Sequence, residues 1–277
     1  MKRMTLLSFR GKIPKSFRDK DLVVFDLDGT LTRTKSTADS RMVQLLASLL
    51  AKKKVAVIGG GKYKQFQIQL LTRLHYPEEL LLNLYLFPTT ATSMYRYHKG
   101  WQRMYFLKFS RRERQKIIHT LHGVLKEIQY APKKAYGKLI EDRGTQITLS
   151  TLGQDVVKIL GAKGVRLKEE WFRKNKPLKF RIARLAQKRL PRFEVHAAGF
   201  TSIDVTRKGI DKAYGIRQIQ KHLKIPIRKM LFIGDALFKG GNDYAARRTG
   251  VDCIAVRGPE DTKRIIRELL TEFKITP

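Results

Sequence analysis

The sequence predicts an α/β fold: a doubly wound, mostly parallel sheet into which an α+β domain is inserted. Three observations carry that expectation. Short apolar runs stop abruptly at Asp or Gly, helical periodicities separate those runs, and the interval from about residue 86 to residue 200 breaks the alternation.

The first run, Leu22-Val23-Val24-Phe25, ends at Asp26 and has no polar face, as expected of a strand covered on both sides of a parallel sheet. Ser36, Thr37 and Asp39 then offer caps for a helix in which Val43, Leu46 and Leu50 share one face. Val55-Ala56-Val57-Ile58 repeats the strand pattern and ends in Gly59-Gly60-Gly61. Ala213, Ile216, Ile219 and Leu223 mark a helix ahead of a third run, Met230-Leu231-Phe232-Ile233, which ends in Gly234-Asp235. A fourth run, Cys253-Ile254-Ala255-Val256, ends in Arg257-Gly258-Pro259. In such a sheet ligands bind beyond the carboxyl ends of the strands, where all of these loops lie. Between the second and third runs the pattern changes. Arg111 to Ile128 and Lys176 to Leu190 read as helices, and Thr145 to Leu152 and Arg192 to Asp204 read as extended. The expected division is therefore a core domain over 1–85 and 201–277, with an α+β domain over 86–200.

Composition narrows the function classes. The 277 residues, 42% of them apolar, suffice for a core domain plus a smaller one. No apolar stretch reaches the roughly 18 residues of a membrane span, and Met1-Lys2-Arg3-Met4-Thr5-Leu6-Leu7-Ser8 lacks the apolar run of a secretory signal, so a cytoplasmic protein with no membrane partner is expected. Cys253 is the sole cysteine, which rules out an internal disulfide and a cysteine-based zinc site. Fifty-eight Lys and Arg against 24 Asp and Glu leave a charge of +34. Residues 87–200 hold 26 basic and 8 acidic residues, so the surplus is spread along the chain rather than held in one arm. Such a field attracts phosphorylated ligands and nucleic acid alike, the latter without sequence preference, and a basic bias shared by an organism's proteins explains it equally well.

The chemistry-bearing segment is Phe25-Asp26-Leu27-Asp28-Gly29-Thr30-Leu31-Thr32. Two carboxylates two residues apart at a strand end can divide phosphoryl transfer, one attacking phosphorus and the other exchanging a proton with the leaving or entering oxygen. A calcium loop would need Gly five residues after the first Asp and Glu eleven after it, where this chain has Leu31 and Thr37. Gly59-Gly60-Gly61-Lys62 is neither a P-loop, since Tyr63 follows the lysine, nor a dinucleotide fingerprint, since Lys64 stands where a third glycine belongs. Lys208 and Lys212, four apart, are both candidates to neutralise phosphoryl charge.

Asp26-Leu27-Asp28-Gly29-Thr30-Leu31-Thr32 resembles the first motif of the haloacid dehalogenase superfamily, and the other motifs follow in that family's order. The resemblance implies that Asp26 is the nucleophile that becomes phosphorylated, that Asp28 is the general acid and base, and that Mg²⁺ binds Asp26, the Asp28 backbone carbonyl and Asp235. It implies that Asn242 and Asp243 support the metal site, that Gly60 and Gly61 bind phosphate through backbone N–H groups, and that Lys212 is the charge-stabilising lysine. The family's usual Ser or Thr at the glycine loop is here Gly61.

The inserted domain sits where the superfamily's type IIB cap lies. Arg143-Gly144-Thr145-Gln146-Ile147-Thr148-Leu149-Ser150-Thr151-Leu152-Gly153 and Thr201-Ser202-Ile203-Asp204-Val205 resemble the cap of the phosphomannomutase branch. That implies a sugar-phosphate substrate, with Arg143 on the distal phosphate and Ser202 and Asp204 lining the sugar site. The chain departs from the branch at Gln154, where the mutases carry a second phosphate-binding Arg, and lacks a further Arg a turn later; Lys158, Lys163 and Arg166 are candidate substitutes. Because a mutase must hold a bisphosphate in two orientations, this departure ranks sugar-phosphate hydrolysis first, phosphomannomutase second, and a non-enzymatic nucleic-acid-binding role third.

Overall fold

The computed structural model describes residues 6–8, 12–33 and 36–271; of the N-terminal stretch read for a leader, only residues 6–8 fall within these. Twelve strands occur among the described residues: β1 (Leu6–Ser8), β2 (Leu22–Asp26), β3 (Lys54–Ile58), β4 (Leu84–Phe87), β5 (Ser93–Tyr97), β6 (Trp101–Phe106), β7 (Ile140–Asp142), β8 (Ile147–Ser150), β9 (Phe193–Ala198), β10 (Ser202–Arg207), β11 (Met230–Gly234) and β12 (Asp252–Ala255). The chain divides into two compact units, Met1–Phe106 with Asp211–Pro277, and Leu107–Ile210.

The first unit is built on an eight-stranded sheet of order β1-β12-β11-β2-β3-β4-β5-β6. Pairing is parallel from β1 to β4 and antiparallel at the β4-β5-β6 edge. Every residue of β2 and β11 is buried, as their unbroken apolar runs require. Helices Ser40–Leu50 and Pro259–Leu270 contribute Met42, Leu46, Leu49, Ile265 and Ile266 to the core on one face of the sheet. Helix Lys212–Leu223 contributes Ile216 and Ile219 to the core on the other. Of the caps offered by the sequence, Asp39 forms one, its carboxylate accepting from the Met42 N–H, and Asp211 caps helix Lys212–Leu223 by accepting from the Tyr214 N–H.

The second unit is a four-stranded antiparallel sheet, β7-β8-β10-β9. Helices Arg111–Glu127 and Ala162–Arg189 pack on it through Ile117, Leu121, Val124, Ile182 and Ala186, which meet Ile147, Leu149, Ile203 and Val205. The alternate positions Thr148, Ser150, Ser202 and Asp204 belong to the opposite face.

The unit boundaries fall at 106/107 and 210/211 rather than at 85/86 and 200/201. Residues 84–106 extend the core sheet as three further edge strands, and Ser202–Arg207 pairs with β8 and β9 inside the second unit. The helix expected from Lys176 begins at Ala162. Pro177 lies inside this helix, and Asn175 leaves helical geometry just before it, which kinks the helix there.

Candidate active site

Asp26 is the last residue of β2, and its neighbours across the sheet, β3 and β11, end in the two loops that complete the cluster around it. The Lys212 ammonium, at the start of helix Lys212–Leu223, donates to Asp26 Oδ1 at 2.5 Å and to the Ile58 carbonyl at 3.0 Å, and lies 3.2 Å from Asp243 Oδ1. Asp26, Lys212 and Asp243 are all buried, whereas Lys208 is exposed and belongs to the other unit. Of the two lysines, only Lys212 reaches the carboxylates.

Asp26, Asp235 and Asp243 can each present one oxygen within 4.8 Å of the others. Asp243 also accepts from the Ala236 N–H at 3.1 Å, which ties the loop after β11 to the cluster. Two glycines make this convergence possible. A Cβ at Gly29, which has φ +87°, would lie 2.4 Å from Asp235 Oδ2, and one at Gly234 would lie 2.3 Å from Asp243 Oδ2. Burial, followed by the neighbouring carboxylates Asp243 and Asp235, raises the Asp26 carboxyl well above the ordinary range against the pull of Lys212. Desolvation and Asp243 push Asp235 up to about 7. Burial opposes the Lys212 ammonium, but Asp26 and Asp243 outweigh it and hold it charged. Carboxylates crowded to this degree are a donor set suited to a hard divalent cation, whose charge reverses the repulsion that raises them. The residues present therefore fit a magnesium ion.

The other expected residues fall into two groups. Asp28, two residues beyond Asp26, accepts from Gln69 Nε2 at 2.8 Å. Gly59 and Gly61 hold the glycine loop from behind, their carbonyls accepting from Thr90 and Thr89 at 2.9 Å. Thr89, Thr90 and Ala91 are left-handed, with φ of 50°, 56° and 61°, a strained support directly behind the loop. A Cβ at Gly61 would lie 3.0 Å from Gln65 Cβ, so a Ser or Thr here would press on that neighbour. Asn242 is exposed, and the structure does not draw its side chain into the carboxylate cluster.

Arg143, Ser202 and Asp204 lie together in the second unit. Asp204 pairs in register with Thr148 and accepts its hydroxyl at 2.7 Å, and Ser202 pairs with Ser150. Arg143 Nε donates to Glu141 at 2.9 Å, and its Nη2 donates to Gln154 Oε1 at 3.3 Å. Gln154 in turn donates to the Leu139 and Thr148 carbonyls at 3.2 and 3.0 Å. Gln154 is thus a hydrogen-bond partner of Arg143, and Lys158, Lys163 and Arg166 are all exposed. Sequence reasoning missed Gln69 and Thr148. For Gln69 the signal is a polar residue flanked at helical spacing by Phe66 and Leu70, both fully buried.

The family model described as eukaryotic phosphomannomutase matches residues 42–272. A phosphomannomutase of Encephalitozoon cuniculi is 27% identical over 262 residues, covering 92% of this chain and 95% of that protein. One from Saccharomyces cerevisiae is 27% identical, covering 91% and 95%. Among solved structures, IMP-bound IMP-nucleotidase of Plasmodium falciparum superposes with a TM-score of 0.64 at 18% identity, over 91% of this chain and 68% of that one. Trehalose-6-phosphate phosphatase of Aspergillus fumigatus does so at 0.56 and 16% identity, over 97% and 100%. These two likenesses concern the fold, which is that of haloacid dehalogenase-type phosphatases.

Proposed function

Because the chain belongs to the eukaryotic phosphomannomutase family, we propose that it is a magnesium-dependent hexose-phosphate mutase working through an aspartyl-phosphate on Asp26. Its membership makes it a phosphoryl-transfer enzyme of the haloacid dehalogenase superfamily. The mutase reading rests on one observation: the family match runs through both units, cap included, rather than through the catalytic core alone. It reverses the order drawn from Gln154 in the sequence.

In this reading Asp26 Oδ1 is committed to Lys212, and Oδ2 attacks phosphorus. As the Asp26 oxygen-phosphorus bond forms, the bond from phosphorus to the sugar oxygen breaks, and that oxygen takes a proton from Asp28. In the opposite direction the phospho-aspartate gives its phosphoryl group to the free hydroxyl of a hexose monophosphate, with Asp28 removing the hydroxyl proton, and the bisphosphate so formed must turn and present its other phosphate to Asp26 to complete the exchange. Lys212 stays charged throughout and meets the negative charge spread over the phosphoryl oxygens, while the N–H groups of Gly60 and Gly61 hold one of them. Asp26, Asp235 and the Asp28 carbonyl would hold magnesium, which supplies charge neutralisation and Lewis acidity, with Asp243 fixing the loop behind it. In the cap, Arg143 takes the distal phosphate, and Ser202 and Asp204 take sugar hydroxyls.

Hydrolysis is the second reading, and Gln154 favours it. A single guanidinium grip should hold a bisphosphate less firmly than two, which lets water compete for the phospho-aspartate. Mannose 6-phosphate, Mg²⁺ and a catalytic amount of hexose 1,6-bisphosphate separate the two readings. The mutase reading predicts conversion to mannose 1-phosphate well ahead of phosphate release. Release outpacing conversion would establish the hydrolase.

A further inference from the structure

We propose that Lys179 is a positioning residue for the sugar site of the cap, holding the turn from which Ser202 and Asp204 are presented. The inference rests on the reading that those two residues take sugar hydroxyls. Lys179 lies on helix Ala162–Arg189, in the buried stripe continued by Ile182, Ala183 and Ala186, where an apolar side chain is expected, and it is 2% exposed. Its ammonium donates to the carbonyl of Gly199 and stands 5.0 Å from the centre of the Phe172 ring. No other acceptor meets it among the described residues. The Phe172 ring in turn lies 6.0 Å from that of Phe200. Helix and turn thus meet at two neighbouring turn residues, Gly199 and Phe200.

An ammonium carries three donors and is strongly hydrated, so a lysine in this stripe is less favourable than a methionine or leucine filling the same space. Burial pushes it down to about 8 against the pull of Asp204, whose carboxylate is therefore within its electrostatic reach. What the charge adds to packing is a grip on the turn. Gly199, Phe200 and Thr201 are all that separates β9 from β10, and Gly199 is left-handed, with φ +46°. Lys179 holds one end of this turn and β8 holds the other. There the Thr201 carbonyl accepts from the Thr151 N–H at 3.0 Å, and the Thr201 and Ser150 hydroxyls lie 3.3 Å apart. The next residue is Ser202, and Asp204 follows on the same face of β10. The turn sets the register of a hairpin, and a slip of one residue exchanges the two faces of a strand. A fixed turn therefore keeps Ser202 and Asp204, rather than Ile203 and Val205, on the polar face.

Hexose 6-phosphate and p-nitrophenyl phosphate share the phosphoryl group and differ in the sugar, so comparing them isolates the cap. Consumption of hexose 6-phosphate is followed in the full-length protein with saturating Mg²⁺ and a catalytic amount of hexose 1,6-bisphosphate. Lys179→Met is expected to raise KM about tenfold, the effect of losing roughly one well-placed hydrogen bond, and to leave kcat within about threefold. It should leave kcat/KM for p-nitrophenyl phosphate within about threefold, and leave the thermal midpoint unchanged or raised, since a buried charge gives way to an apolar side chain. Equal losses with both substrates mark a merely structural role and would overturn the inference, as would an unchanged KM. Lys179→Leu serves if the methionine variant does not fold, and failure of both to fold also overturns it. Asp204→Ala measured alongside keeps the two claims apart. If it raises KM and the Lys179 variants do not, only Lys179 is misassigned; if it leaves KM unchanged, Asp204 does not take the sugar and both claims fall.

Discussion

Replacing Lys212 by Met keeps most of the buried stem and removes the charge, and two losses of different kinds should follow. The ammonium sits at 2.5 Å from Asp26 and 3.2 Å from Asp243, with 2% of the residue exposed. For catalysis, removing one preorganised charge from the transferring phosphoryl group should lower kcat by roughly 10²- to 10³-fold. For the fold, breaking a buried pair by deleting one partner costs about 3–5 kcal/mol. Here the lower end applies, because burial already raises the Asp26 carboxyl and proton uptake relieves the stranded charge. A domain stabilised by about 5–15 kcal/mol survives that loss. The assay is kcat on hexose phosphate at saturating Mg²⁺, together with thermal midpoints with and without the ion. Lys208→Ala, at an exposed position, is the control. A folded Lys212→Met protein that retains kcat within about threefold, or an equal loss in Lys208→Ala, would refute the reasoning.

Protonation of the carboxylate cluster makes metal binding pH-dependent. Groups raised in the folded state stabilise it while protonated, so their contribution is complete below the ordinary carboxylate range and is lost as pH rises through about 7, the value for Asp235. The metal-free protein should therefore lose thermal stability between pH 5 and 8, while the Mg²⁺ concentration for half-activation falls over the same range; a flat profile in both contradicts the assignment. Gln154→Arg should weaken the cap rather than improve it, because an arginine cannot accept from Arg143 and places a like charge beside it. A raised KM for hexose 1,6-bisphosphate is expected, and a lowered one would show that Gln154 is a vacant phosphate grip. Duplex DNA should bind without sequence preference and weaken steeply with salt, whereas tight, sequence-selective binding at high salt would favour the nucleic-acid reading.

The catalytic half of the site was legible because its residues occupy strand ends and a helix start. Once Leu22–Phe25 and Met230–Ile233 were read as buried parallel strands, Asp26 and Asp235 had to emerge at one edge of the sheet. The choice of Lys212 over Lys208 came from family likeness alone, and the structure distinguishes them by burial. What stayed illegible depends on contacts between distant segments. Gln69 reaches Asp28 across 41 positions, and Gln154 reaches Arg143 across 11 through a hairpin whose register no periodicity announces. The hairpin of β5 and β6 was missed for another reason. Trp101 to Phe106 is largely exposed, so it lacks the apolar run by which the inner strands were recognised.

The central claim is that the phosphoryl group passes through Asp26, and the covalent intermediate tests it most directly. The enzyme is mixed with hexose 1,6-bisphosphate and Mg²⁺, quenched within one turnover, and treated with borohydride, which reduces an aspartyl-phosphate to homoserine. Peptide mapping should then find homoserine at position 26 in the native protein, dependent on Mg²⁺, and none in Asp26→Asn, which should also lack turnover. Homoserine at another aspartate, or full turnover in Asp26→Asn, would contradict it.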